Sequence, residues 1–109
     1  FKGRLIYEPP RFMLASEAAQ QILTCCDILG EDALSLRKEV MQWVAVALSR
    51  VGHGEEQRIT VASLAEMAQL GEEELGGPLH SLVIPAPDLH DLEREMLRSY
   101  LHPTSTLTL

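Results

Sequence analysis

The stretch GGPLHSLVIPAPDLH, Gly76 to His90, sets a histidine at the mouth of a short apolar run and fences that run with glycines and prolines. Glycine lets the main chain approach another group closely, and proline stops a strand from continuing. The pattern predicts a buried strand over Ser81 to Ile84, entered beside His80 and closed by Pro85-Ala86-Pro87. Such punctuation suits a strand whose ends lie at a site. It also suits a core strand with tight connections.

Other chemistries are poorly supplied. The histidines are His53, His80, His90 and His102. None pairs with another at i+4 on a helix and none lies near a cysteine, so a metal site has no ligand spacing to rest on. There is no GxSxG nucleophile elbow, no GxGxxG and no GxxxxGK[ST] phosphate loop. Glu72-Glu73-Glu74 reads as a solvated loop rather than a catalytic carboxylate pair. Cys25 and Cys26 fit a helix face, and neither has a basic neighbour in sequence to lower its pKa. Two adjacent cysteines build no disulfide framework, which points to a reducing, cytoplasmic compartment. Trp43 and the methionines sit at core-like spacings and read as packing.

The elements that must position these residues follow from periodicity. Tyr7-Glu8-Pro9-Pro10-Arg11 forbids helix and predicts an extended lead-in. Ser16 caps a helix over about Glu17 to Leu29, with Ala15, Ala18, Ala19, Ile22, Cys25, Cys26 and Leu29 on its buried side and Gly30 as its stop. Glu31 to Gln42 is polar and fits a short helix or a loop. WVAVALSRV, Trp43 to Val51, predicts a strand covered on both faces, as in the centre of an α/β sheet. Gly52-His53-Gly54 turns the chain. Gln57 to Ile59 is expected to extend briefly before Thr60 caps a helix to about Leu70, stopped by Gly71. Asp88 is expected to cap a last helix with Leu89, Leu92, Met96, Leu97 and Tyr100 on its apolar side. Pro103 to Leu109 reads as a frayed, flexible tail.

Composition bounds the rest. The 109 residues suffice for one small domain or a piece of a larger one. Nine basic residues stand against 16 acidic ones, for a net charge of −7. The basic residues are scattered, so nucleic acid is excluded as a partner. No apolar run approaches the roughly 20 residues of a membrane span. The chain opens Phe1-Lys2-Gly3 without an initiator Met and is expected to begin mid-chain. Two firm strands make a poor sheet, so the missing strands are expected upstream.

Several blocks resemble one family. The lead-in GRLIYEPPRFM with EAAQQIL, the strand-turn LSRVG, QRITVASLAEM, GGPLHSLVI and the closing LHDLEREML are similar, in order, to diphthine synthases of the tetrapyrrole methylase superfamily. The resemblance runs from about Gly3 to Leu101. It implies that residues 1–102 are the C-terminal part of the second α/β domain of a methyltransferase, a mixed sheet flanked by helices, with 103–109 a tail. It further implies S-adenosyl-L-methionine as cofactor, held between two domains, and the modified histidine of translation elongation factor 2 as substrate. Methylation falls on its amino group and, in eukaryotic-type members, also on its carboxylate. A homodimer is implied as well. Two family cofactor contacts map onto this chain: Val51, between Arg50 and Gly52, and His80 of the PLHSL block. Val51 would supply an aliphatic wall for adenine, and His80 backbone polarity, a ring contact, or both. The other readings are a related methylase acting on a small macrocycle and a non-catalytic dimerisation or interaction module.

Overall fold

The computed structural model describes residues 13–28, 33–77 and 79–109. The proline-rich lead-in, the Gly30 stop and Pro78 lie outside the described residues. Alternation builds the middle of the sheet. In β1 (Val44–Ser49) the alanines Ala45 and Ala47 and then Ser49 take one face, and Val44, Val46 and Leu48 the other. No position in the strand is exposed, as expected for a central strand. β1 runs between β2 (Arg58–Ser63) and β3 (His80–Val83), antiparallel to both, in the order β2-β1-β3. On its other edge β2 meets a parallel bridge, Val61 to Leu101: Val61 N–H donates to the Tyr100 carbonyl and His102 N–H to that of Val61. The three described strands thus form an antiparallel sheet flanked by helices rather than the mixed sheet expected, and this isolated bridge is its one parallel pairing among the described residues.

β2 overturns the helix expected from Thr60. Ile59-Thr60-Val61 is a β-branched run that prefers the pleated surface, and it pairs in register with Leu48, Ala47 and Val46 of β1. The helix starts only at α3 (Leu64–Met67), where Ser63 and Glu66 form a reciprocal capping box. The sheet thereby gains a third strand. β1 is shorter than Trp43 to Val51 because Arg50 takes a positive φ of 49° and turns the chain. β3 begins at His80 itself and is an edge in the described sheet, its residues alternately half-buried and exposed rather than buried throughout.

α1 (Ala15–Ile28) packs on α3 and β3, and its Ala15, Ala19, Leu23 and Cys26 join Ala45 and Ala47 of β1 in one buried cluster. Ser16 is a buried helical residue, not the cap that was expected, and Cys25 points outward. The ambiguous segment holds α2 (Ala33–Met41), pinned to α1 where Arg37 Nη1 donates to the Leu23 carbonyl at 3.1 Å and to Asp27 Oδ2 at 2.8 Å. Leu64, Met67 and Leu75 are almost wholly buried, each contributing about 1.5–3 kcal/mol. Leu75 closes α4 (Glu72–Leu75), a helical turn where the acidic triplet read as loop.

The opposite face of the sheet is covered by α5 (Asp91–Arg98). Its cap is His90, not Asp88: the His90 Nδ1 accepts from Leu92 N–H at 3.1 Å, and Glu93 Oε1 accepts from His90 N–H at 2.9 Å. α5 covers this face only in part. Leu92 and Met96, expected inward, are 69% and 62% exposed, and Val83 and Trp43 are exposed too. The tail expected to fray is hydrogen-bonded to Glu66 through Ser105 and Thr106. Among the described residues no helix is long and apolar enough to cross a membrane.

Candidate functional site

The two sequence-predicted contacts fall at one end of the sheet. Ser49 closes β1 and stands opposite His80, which opens β3. After Ser49 the chain turns: His53 N–H donates to the Arg50 carbonyl at 3.1 Å, and Gly52 N–H to Gln57 Oε1 at 2.8 Å. Arg50 pairs with Glu56 at 2.8 Å. Val51 sits within this turn with its side chain 57% exposed. Leu79, immediately before His80, is 60% exposed. Both apolar side chains thus stand in solvent close in sequence to this end of the sheet.

His80 faces the other way. Its Nδ1 accepts from Ala15 N–H, the first amide of α1, at 3.1 Å, and its Nε2 lies 2.8 Å from the Gly76 carbonyl oxygen. The ring is part-buried between helix and turn. Next to it Ser49 Oγ donates to the Gly77 carbonyl at 2.5 Å. Gly76 has φ +90°, and a Cβ there would lie 3.0 Å from Ser49 Oγ and 3.1 Å from Arg58 Cβ. The glycine permits the close approach that the GGPLH pattern announced, but the group approached is Ser49 of the neighbouring strand. Sequence reasoning missed Ser49 and Gly76 as a pair. The available signal was a serine ending an otherwise apolar strand.

The remaining histidines do not join them. His90 caps α5, and His102 lies 3.8 Å from Glu74 with its Nδ1 against Thr104. Among the described residues no three His, Cys, Asp or Glu side chains gather as a metal site. An opening lined by Glu39, Gln42, Trp43, Ile84, Pro85 and Pro87 lies at the far end of β1 and is mostly apolar.

No family model matches the chain. Curated relatives do: diphthine methyl ester synthase of Bos taurus is 43% identical over 108 residues, covering 96% of this chain and 35% of the relative. The Mus musculus protein of that name is 42% identical over 110 residues, covering 98% and 36%. The crystal structure of a protein described as a diphthine synthase from Entamoeba histolytica superposes with a TM-score of 0.69 at 25% identity, over 91% of this chain and 36% of that one. The chain belongs to the diphthine synthase family. It spans about a third of the length of the curated relatives it matches. A second diphthine synthase structure, TM-score 0.60, shares the fold.

Proposed function

We propose that the chain supplies part of the second domain of an S-adenosylmethionine-dependent methyltransferase of diphthamide biosynthesis. Its substrate is the modified histidine of translation elongation factor 2, and it works as a cytoplasmic homodimer. The observation that carries this reading is the similarity to diphthine methyl ester synthases along almost the whole chain. The residues at the Ser49–His80 end fit the adenine part of the cofactor. Adenine is a flat ring with polar edges, and it suits an apolar wall, Val51 and Leu79, beside main-chain N–H and C=O groups of a strand edge. The cofactor supplies an electrophilic methyl on its sulfonium. This chain's part is to bind and orient, which is much of what in-line methyl transfer to an amine requires. None of its described residues is assigned as a general base.

The test is methyl transfer from labelled cofactor to elongation factor 2 carrying the unmethylated modified histidine. The full-length protein is expected to transfer label, and the isolated 109-residue chain none above background. Failure of the full-length protein to label the factor overturns the proposal. Transfer by the isolated chain overturns the need for the rest of the cleft.

A further inference from the structure

We infer that His80 is a positioning residue: with Ser49 it grips the Gly76–Gly77 turn, and it meets the cofactor through the main chain it holds rather than through its ring. The inference deepens the proposed cofactor reading and rests on it.

A carbonyl only accepts, so Nε2 at 2.8 Å from the Gly76 oxygen must carry the ring proton. Nδ1 is then the lone-pair nitrogen, and Ala15 N–H occupies it at 3.1 Å. One neutral tautomer satisfies both partners, and it leaves no ring nitrogen to bond a ligand. Ser49 takes the next carbonyl, that of Gly77, at 2.5 Å. Ser49 and His80 are themselves opposite each other in the β1–β3 register. One cross-strand pair thus holds two consecutive carbonyls of the turn, on the face of the sheet that α1 covers. The turn has no slack, because Gly76 already lies against Ser49 and Arg58 where a Cβ would stand. The path of the chain through Leu79 into β3 is set by this grip. So are the exposure of the Leu79 side chain and the direction of the edge-strand polar groups. A ligand recognised here is a flat heteroaromatic ring with an apolar face and a polar edge.

Ring nitrogen NMR of 15N-histidine-labelled full-length protein, with and without S-adenosylmethionine, tests the ring directly. The expected result is the Nε2–H tautomer in both states, with neither ring nitrogen shifting on saturation. A shift of either nitrogen on cofactor addition, or the Nδ1–H tautomer, overturns the inference. Calorimetric titration of folded variants gives the second readout. His80→Gln keeps a donor near the Nε2 position, whereas His80→Asn keeps only a group near Nδ1. His80→Asn and Ser49→Ala should bind the cofactor about tenfold more weakly, the size of one ordinary hydrogen bond, with His80→Gln closer to wild type. Equal loss in the Gln and Asn variants, or wild-type affinity in a folded His80→Asn protein, overturns positioning through Gly76. A wild-type protein that binds no cofactor overturns the proposed function instead, while the tautomer still decides the grip.

Discussion

The Glu66 carboxylate collects four hydrogen bonds: from Ser63 N–H at 2.9 Å and Ser105 Oγ at 2.7 Å on Oε1, and from Thr106 N–H at 2.8 Å and Thr106 Oγ1 at 3.0 Å on Oε2. Desolvation alone would raise its pKa, but the hydrogen bonds from Ser105, Ser63 and Thr106 outweigh it and hold the group at about 2, below the ordinary 4.5. The folded state therefore binds this proton more weakly than the unfolded chain does. Glu66 contributes its full stability above pH 4.5 and loses it as pH falls toward 2. Acid titration of thermal melts should show this loss, and Glu66→Gln should remove that part of the slope while costing about 1 kcal/mol at neutral pH through weakened capping and tail bonds. At Val51 the expectation is the reverse. Val51→Asp leaves the melting temperature of the full-length protein within a degree or so, because the side chain is exposed in a turn. It should weaken cofactor binding strongly, since a carboxylate against adenine would be desolvated without a partner. Unchanged affinity in calorimetry would remove Val51 from the site. Ser63-x-x-Glu66 has the capping-box pattern in the chain itself, although the helix was expected to start from Thr60 instead. The tail partners of Glu66 were not legible, because they lie 39 and 40 residues away.

At the scale of elements, the turn between α4 and β3 is the place where backbone conformation decides. Gly76→Ala forces an L-residue to φ +90° and sets a methyl 3.0 Å from Ser49 Oγ. The cost should be about 1–3 kcal/mol, read as a lower denaturation midpoint with unchanged slope. Gly71→Ala, with open space around the glycine and an extended φ of −91°, should be close to neutral. Elements with one strong period were legible: the alternation of β1 and the three-four spacing of α1 both stand. β2 was hidden because Thr60 is a good cap in isolation, and only its register with β1 commits it to the sheet. β3 was recognised as a strand, yet its exposure follows from its edge position, which no local pattern encodes. Of the candidate site, sequence placed His80 at the mouth of a strand, and β3 begins there. That the ring turns away from it depends on Ala15, 65 residues distant.

Among the described residues of the whole molecule, the sheet has one closed face and one open one. The alanine face of the sheet is sealed by α1, α3 and their loops, whereas α5 leaves Val83, Leu92 and Met96 exposed on the other. Contiguous apolar surface of this kind, beside an edge strand, favours association. The isolated chain is expected to sediment faster as its concentration rises, and Leu92→Lys with Met96→Lys should suppress this without lowering the melting temperature. A monomer at every concentration would contradict the expectation. The bond between Ala15 and His80 also carries a timetable. Along a growing chain β1 and β2 can pair across a short turn as soon as both emerge, but α1 has long been synthesised by then and its first amide still has no acceptor. Closing a loop of 65 residues comes after closing a hairpin, so α1 can settle on α2 early while its first amide finds its acceptor late.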